Sequence, residues 1–371
     1  MNISDMKELV IGNLTARTPI IQGGMGIGIS LSGLASAVAN QGGVGVISTA
    51  GIGMAEKDYQ SNYLEANIRA LRKEIRKARE MTKGILGVNI MVAMSNFEDM
   101  VRTAVEEGID VIFAGAGLPL NLPQLLNNAG HTMIVPIVSS GRAARIIARR
   151  WADRYNYTPD AIVVEGPMAG GHLGFSEEQI DDSEYALENL VTDVIREMNI
   201  FEDSGSKPIP VIAAGGIYTG EDIHRFMKLG ASGVQMATRF VTTDECDASD
   251  AFKNVYINAQ QKDIGIIKSP VGLPGRAIIN TFIEDIKSGA KKPFTCPFHC
   301  IRTCDYKVSP YCISVALMNA KKGLMKSGFA FAGANAYRTD KIISVRELID
   351  SLRQEYRSVV SAVSTVWSDG V

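Results

Sequence analysis

Apolar positions in the first two-thirds of the chain fall into short β-branched runs, each followed by a stretch whose apolar residues recur with helical spacing. Near-continuous apolar runs such as Ala161-Ile162-Val163-Val164 indicate strands buried on both faces, as in a parallel sheet covered by helices. Eight such runs end in glycine or small polar residues and are predicted strands, at residues 19–22, 44–49, 86–90, 111–115, 133–138, 161–166, 210–216 and 233–239.

Eight successive strand and helix units predict an α/β chain folded as a (β/α)8 TIM barrel. An open, doubly wound sheet is the competing arrangement. That fold calls for an early G-x-G-x-x-G turn and an acidic residue after the next strand, and the sequence has no convincing example. In a barrel, the ends of the strands and the loops that follow them carry the functional residues.

The spacing between the predicted strands is uneven. Extra length at residues 51–83 and 167–207 predicts insertions that cover the barrel mouth. Beyond Phe240 the strand and helix alternation stops, and helical stretches mix with turn-rich segments. We therefore expect two domains: a cofactor-binding barrel over residues 1–242 and a mostly helical C-terminal lobe over residues 243–371 that packs on it and helps to close the site.

Composition and charge narrow the class of protein. Of the 371 residues, 46% are apolar, and 38 lysines and arginines nearly balance 40 aspartates and glutamates. This balance argues against nucleic acid or a membrane surface as a partner. The start of the chain lacks a basic segment followed by an apolar one, and no apolar run approaches the roughly 20 residues that span a bilayer. With five cysteines that make a poor disulfide framework, a cytoplasmic location is expected.

Segments of small residues end the predicted strands seven and eight, with glycines in the first of them. Ala214-Gly215-Gly216-Ile217 follows one, and Gln235-Met236-Ala237-Thr238-Arg239 ends the other. Bare backbone N–H groups at these two loops are suited to phosphate oxygens, and Thr238 adds a hydroxyl. Tight βα turns alone would also use glycine, but the two loops together favour a phosphate group.

A histidine lies in the loop after predicted strand six, which reads Ala169-Gly170-Gly171-His172-Leu173-Gly174. Such a loop offers little apolar burial for a packing histidine, so His172 is the candidate acid or base. We interpret the other three histidines, His131, His224 and His299, as structural. The glycine turn after the first strand, Gln22 to Gly26, is suited to close approach of a flat ligand.

Taken together, these motifs resemble those of the nitronate monooxygenases, formerly called 2-nitropropane dioxygenases, and of the related FMN-dependent enoyl-acyl-carrier-protein reductases. The matching segments occur in the same order along nearly the whole chain: residues 19–25, 87–89, 169–174, 214–217, 235–240, 275–277 with Asn280, and 331–336. One departure is Ala334, which stands where many relatives have glutamine. A contact beside the flavin is therefore expected to be missing or to be replaced by Asn335.

The resemblance implies FMN across the barrel mouth, with His172 as the catalytic histidine. The implied cofactor-binding residues are Gly215, Gly216, Ala237 and Thr238 for the phosphate, Gly23, Gly24, Met25 and Asn89 for the ring, and Glu165, Gly170, Gly171, Gln235 and Met236 beside them. The implied activity is oxidation of alkyl nitronates with O2 to carbonyl compounds and nitrite. The alternative is an FMN-dependent reductase that uses NAD(P)H to reduce an enoyl thioester or a quinone. The size of the lobe and the resemblance are compatible with a homodimer, and a non-catalytic flavin- or phosphate-binding protein is the third hypothesis.

The cysteines Cys296, Cys300, Cys304 and Cys312 form the remaining motif. If Pro297 opens a helix, the first three recur every four residues and form one stripe. Four thiolates suit zinc or an iron–sulfur cluster, although the spacing matches neither zinc ribbons nor the common ferredoxin runs. Reduced cysteines that pack the C-terminal lobe are the simpler interpretation, and whether a metal is bound stays open from the sequence.

Overall fold

A computed structural model describes residues 6–126, 131–202, 207–290, 296 and 298–368. Its first elements are β1 (Leu9–Ile11) and β2 (Leu14–Ala16), which pair as an antiparallel hairpin. Eight parallel strands then form a closed barrel, which confirms the predicted fold class. The barrel strands are β3 (Ile20–Gln22), β4 (Val44–Ser48), β5 (Ile85–Met91), β6 (Val111–Gly115), β7 (Met133–Val138), β8 (Ile162–Glu165), β10 (Val211–Ala214) and β11 (Gly233–Met236).

Burial on both faces explains the apolar runs of the barrel strands. Along β6, Val111 and Phe113 pack in the barrel interior, whereas Ile112 and Ala114 pack against the surrounding helices. This alternation is what a closed barrel inside a ring of helices requires. The β1–β2 hairpin adds Leu9 to the interior cluster, and the sequence did not predict this hairpin.

Helices follow the barrel strands and continue into the C-terminal lobe. They are α1 (Ser32–Asn40), α2 (Tyr63–Met81), α3 (Phe97–Glu106), α4 (Gly141–Tyr155), α5 (Glu177–Ile180), α6 (Leu187–Glu202), α7 (Gly220–Lys228), α8 (Thr238–Val241), α9 (Asp250–Ile257), α10 (Thr281–Lys287), α11 (Ile313–Lys321) and α12 (Val345–Ser368). The last, α12, returns from the lobe to pack between α7 and α1. Because α8 has only four residues, α12 takes the place of an eighth barrel helix.

Two predicted strands are shorter in the structure. Strand β10 ends at Ala214 because Gly215 and Gly216 adopt φ values of +92° and +91°, which are not strand values. Strand β11 ends at Met236, and Thr238 begins α8. The two predicted phosphate loops therefore lie just beyond the strands, at the barrel mouth.

A second sheet joins the barrel to the lobe. It consists of β9 (Gly171–His172), β12 (Ile264–Lys268) and β13 (Pro274–Ile278), and β13 is the central strand. The insertion at 167–207 thus holds β9, α5 and α6, while that at 51–83 holds α2. Within the described ranges, no helix has both the length and the apolar character needed to cross a bilayer.

Candidate active site

Three polar side chains mark the mouth of the barrel. Asn89, Glu165 and Gln235 lie at or near the carboxyl ends of β5, β8 and β11, and each is half-buried. Glu165 and Gln235 share a neighbour, since both pair with Ala214 of β10 in the barrel register. Among the described residues none of the three side chains has a hydrogen-bond partner. Polar groups at such depth normally find partners, so this set is suited to a polar ligand seated on the barrel.

Glu165 is the acidic group of this set. Burial raises the pKa of its carboxyl from 4.5 to about 7, since no cation compensates the charge. A carboxyl that titrates near neutral pH can donate or accept a proton there. Perturbation of this kind in a cleft is typical of functional sites.

Gly215 and Gly216 form a cradle that excludes side chains. A Cβ atom on Gly215 would lie 2.8 Å from the carbonyl oxygen of Gly166, and one on Gly216 would lie 2.9 Å from Cβ of Met168. Both residues also have positive φ values, which L-residues rarely adopt. The amide of Asn335 donates to the carbonyl of Gly216 over 2.7 Å and fixes the turn from the lobe side.

Thr238 joins the same cradle. Its hydroxyl accepts a hydrogen bond of 3.2 Å from the N–H of Gly333, which leaves its proton free to reach an anion. The lobe segment that contains Gly333 and Asn335 therefore touches both loops predicted to hold phosphate. In the sequence, the segment Ala332-Gly333-Ala334-Asn335-Ala336 was the signal for this contact, and the structure places Asn335 on the Gly216 turn itself.

The first glycine turn is held against two strands. The N–H of Gly23 donates to the carbonyl of Met236 over 2.8 Å, and a Cβ on Gly24 would lie 2.3 Å from Cβ of Asn89. Met25 is anchored by its N–H, which donates to Ser30 Oγ over 2.9 Å. The backbone at Gly24 thus lies directly beside Asn89 without an intervening side chain. This arrangement is suited to a flat ligand that approaches the turn closely.

His172 lies on a strand, whereas the sequence predicted an irregular glycine loop. Gly171 and His172 form β9, and His172 pairs with Gly275 of β13. Gly170 packs so closely on the lobe that a Cβ atom would lie 2.5 Å from backbone atoms of Ala332 and Gly333. The glycines therefore serve close packing as well as the turn.

The imidazole of His172 has two neighbours from the lobe. Its Nε2 lies 2.7 Å from Ser269 Oγ, and its ring meets the Phe331 ring edge-on at 5.0 Å between centroids. Burial lowers the pKa of His172 to about 4, so the ring is neutral at physiological pH. The sequence did not indicate either neighbour. Ser269 is 97 residues from His172 in the chain, and only the fold brings the two side chains together.

The other three histidines lie on other segments of the chain. His224 on α7 packs edge-on against Tyr356 of α12, His131 is exposed before β7, and His299 is exposed beside the Tyr306 ring. The helical stripe considered for the cysteines does not form in the described part of the segment: residues 298–300 have no regular structure and no helix covers 301–305, while Pro297 lies outside the described residues. The segment instead pairs with the chain after β5, so its local periodicity did not decide its structure.

The closed parallel barrel, with glycine turns and titratable groups at the carboxyl ends of its strands, is that of a TIM-barrel enzyme. A model of the nitronate monooxygenase family matches residues 7–355. The chain therefore belongs to the nitronate monooxygenase family, a family of flavin-dependent oxidoreductases.

Individual relatives span several named activities. A 5-hydroxy-7a-methyl-1-oxo-octahydro-1H-indene-4-carboxyl-CoA dehydrogenase of Mycobacterium tuberculosis is 28% identical over 74% of this chain and 66% of its own length. A probable nitronate monooxygenase of Staphylococcus saprophyticus is 27% identical over 74% of this chain and 79% of its own length. The chain thus spans just under two thirds of the dehydrogenase.

Two solved structures superpose over almost the full chain. FabK from Thermotoga maritima has a TM-score of 0.73 and 28% identity, and the match covers 94% of this chain and 96% of FabK. A nitroalkane oxidase from Streptomyces ansochromogenes has a TM-score of 0.70 over 93% of this chain and 97% of the oxidase. At 20% identity the latter likeness shows the fold alone.

The raised pKa of Glu165 predicts that Glu165→Gln stabilises the folded protein by an amount that depends on pH. Because the folded-state pKa of about 7 exceeds the ordinary 4.5, the folded protein is favoured while the carboxyl is neutral and loses that advantage as the pH rises through 7. In protein stripped of bound cofactor, we expect Glu165→Gln to raise the free energy of unfolding by about 3 kcal/mol at pH 8 and by little below pH 5. Urea unfolding at both pH values measures this difference.

The exposed Glu98→Gln on α3 is the matched control and should show no such pH-dependent gain. His172 also makes the free energy of unfolding depend on pH, but it is present in both the native protein and Glu165→Gln. Its contribution therefore cancels when the two proteins are compared. An equal effect of Glu165→Gln at both pH values would show that the carboxyl does not titrate between them.

Proposed function

We propose that the chain is an FMN-dependent monooxygenase that oxidises alkyl nitronates with O2 to carbonyl compounds and nitrite. The observation that carries this proposal is the neutral imidazole of His172 at the barrel mouth of a nitronate monooxygenase family member. A nitronate is already deprotonated, so its oxidation needs no proton from the enzyme. A neutral imidazole suits this chemistry better than reactions that consume a proton.

The proposed FMN site uses the partnerless side chains and the glycine turns. Gly215, Gly216, Ala237 and Thr238 would hold the phosphate through backbone N–H groups and one hydroxyl. Around the ring we place residues that line or touch the mouth: Gly23, Gly24, Met25, Asn89, Glu165, Gly170, Gly171, Gln235 and Met236. When bound, FMN supplies the electron transfer and the reaction with O2.

His172 would orient the substrate. With Nε2 engaged by Ser269 Oγ, its Nδ1 is the remaining ring atom for substrate. If Ser269 donates to Nε2, Nδ1 carries the proton and can hydrogen-bond a nitronate oxygen; in the other tautomer Nδ1 can accept the acidic α-proton of a nitroalkane. Phe331 and the lobe exclude water on one side, which strengthens either contact.

A reductase of enoyl thioesters or quinones that uses NAD(P)H is the second candidate. It is supported by the 28% identity to FabK and by Glu165, whose pKa of about 7 makes the carboxyl a proton donor at neutral pH. In that reaction Glu165 would supply the proton that neutral His172 does not give readily. Glu165 would then be required for turnover rather than for cofactor binding alone.

Anaerobic reduction of the bound flavin distinguishes the two reactions. We expect ethyl nitronate to bleach the flavin within the time of a turnover, and NADH or NADPH to do so far more slowly. Nitrite should appear in proportion to substrate once O2 is admitted. If NADH or NADPH bleaches the flavin rapidly and the nitronate does not, the protein is a reductase and the proposed monooxygenase activity is wrong.

The protonation state of the substrate refines the same experiment. Neutral nitroethane requires a base, whereas its nitronate does not. If His172 acts as base, His172→Ala should abolish bleaching by nitroethane more completely than bleaching by the nitronate. Equal losses would assign His172 to orientation of the anion instead.

A further inference from the structure

Ser269 lies in the turn between β12 and β13, and backbone hydrogen bonds fix its position. The N–H of Ser269 donates to the carbonyl of Leu273 over 3.3 Å, and the N–H of Gly272 donates to the carbonyl of Ser269 over 3.1 Å. Gly272 has a φ of +87°, a value that favours glycine in a turn of this kind. The hydroxyl of Ser269 therefore has a defined place beside His172.

Other parts of the lobe hold this turn as well. Thr303 Oγ1 donates to the carbonyl of Val271 over 3.0 Å, and Val271 is buried in an apolar cluster that includes Phe329. Ser269 itself is only 4% exposed. Because Ser269 is buried in a fixed turn, its hydroxyl has to find its hydrogen-bond partners within the protein.

Two groups lie within hydrogen-bonding distance of this hydroxyl. The N–H of Val271 donates to Ser269 Oγ over 3.4 Å, and Nε2 of His172 lies 2.7 Å from the same oxygen. A serine hydroxyl has one proton to donate and lone pairs that accept. A backbone N–H can only donate, so Nε2 is the one acceptor that the described residues offer to the proton of Ser269.

Counting donors and acceptors decides which nitrogen of His172 carries the proton. Burial lowers the pKa of His172 to about 4, so the neutral ring has a single N–H at physiological pH. If Nε2 carried that proton, both neighbours would donate to Ser269 Oγ, and the hydroxyl proton would be buried with no acceptor among the residues that the structure describes. The unsatisfied donor disfavours this tautomer by about 5- to 150-fold.

We propose that Ser269 is a positioning residue that holds His172 in the tautomer with the proton on Nδ1. In this tautomer the hydroxyl of Ser269 donates to Nε2 and accepts from Val271, so all of these groups are paired. Nδ1 has no hydrogen-bond partner within the described ranges, and its N–H is therefore available to a ligand. His172 thus presents a donor, and the substrate atom that it meets has to be an acceptor.

This inference rests on the proposed function for the identity of the substrate. A nitronate carries its negative charge on two oxygens, and either of them accepts a strong hydrogen bond from an N–H group. A neutral nitroalkane has to lose its α-proton first, and a nitrogen that already carries a proton cannot accept it. The protein should therefore select substrates that are already ionised, and neutral nitroethane should react no faster than it ionises in solution.

Nitrogen NMR of the whole chain, as purified, reports the tautomer without any substrate. In protein labelled with ¹⁵N-histidine at pH 7, we expect Nδ1 of His172 to carry the proton and Nε2 to carry none. His172→Ala identifies these signals among those of the four histidines. Ser269→Ala should lose the preference for Nδ1. A proton on Nε2 in the native protein, or an unchanged tautomer in Ser269→Ala, would overturn the proposal.

Turnover provides the second readout. Ser269→Ala removes the hydrogen bond that sets the donor, and we expect kcat/KM for ethyl nitronate to fall about 10- to 100-fold while the flavin content stays the same. Ser309→Ala is the matched control, since Ser309 is also 4% exposed but its hydroxyl donates to the carbonyl of Tyr311. This control should keep the native kcat/KM.

The two measurements separate the role of Ser269 from the proposed function. If the nitronate does not reduce the flavin but Nδ1 carries the proton, the proposed reaction is wrong and the role of Ser269 stands. If the nitronate is oxidised equally well by Ser269→Ala and the native protein, the role of Ser269 is wrong and the proposed reaction stands. The tautomer of the native protein decides the matter even if Ser269→Ala fails to fold.

Discussion

Replacing His172 with alanine is expected to lower kcat/KM for nitronate or nitroalkane oxidation by about 10²- to 10⁴-fold, the range for loss of a positioned acid or base. The bound flavin should remain, because the contacts of the imidazole are Ser269 and Phe331 rather than the glycine cradle. Steady-state oxygen consumption, normalised to flavin content, measures the effect. If His172→Ala keeps the kcat/KM of the native protein, His172 takes no part in the reaction.

His131→Ala is the control for this substitution, since His131 is exposed before β7 and should leave turnover unchanged. The lowered pKa adds a second readout. Because the neutral imidazole is the active form and the pKa is about 4, activity should fall on the acid side only as the pH drops through that value. Loss of activity already near pH 6.5 would show that His172 titrates normally.

Gly215→Ala is expected to weaken FMN binding by at least about 100-fold, on the order of 3 kcal/mol. The new methyl group would lie 2.8 Å from the Gly166 carbonyl oxygen at a φ of +92°, so the backbone that would face the phosphate must shift. Titration of the cofactor-free protein with FMN, followed by flavin fluorescence, gives the dissociation constant directly.

Gly289→Ala carries comparable backbone strain without the contact. Gly289 has a φ of +75° beyond α10, and a Cβ there meets nothing within 4 Å. We expect this control to lose some stability and to bind FMN as the native protein does. If Gly215→Ala also keeps the native dissociation constant, the phosphate does not lie on this turn.

The barrel was predictable because its signals are local. A strand such as Val111–Gly115 is buried on both faces, and its run of apolar residues records that burial directly. The β1–β2 hairpin and the sheet of β9, β12 and β13 were missed for the opposite reason. Their strands are short, and β9 pairs with a partner about 100 residues away, so no periodicity within the segment predicts them.

The cysteine segment shows how a local pattern can mislead. Spacing of four residues is compatible with a helical stripe, but the chain at Cys300 and Ile301 pairs with the barrel segment at Met94 and Ser95 instead. Tertiary pairing outweighed helical propensity there. The periodicity also gives no sign that Cys312, which lies outside the stripe, packs in the same apolar cluster as the other three cysteines.

By itself, then, the sequence determined the closed parallel barrel, the glycine turns at its mouth and the presence of a histidine beside them, because each depends on neighbours in the chain. Only the tertiary structure decided that His172 is neutral and that Asn335 binds the Gly216 turn. Burial and hydrogen bonding sum over groups that are far apart in sequence, and the fold alone brings those groups together.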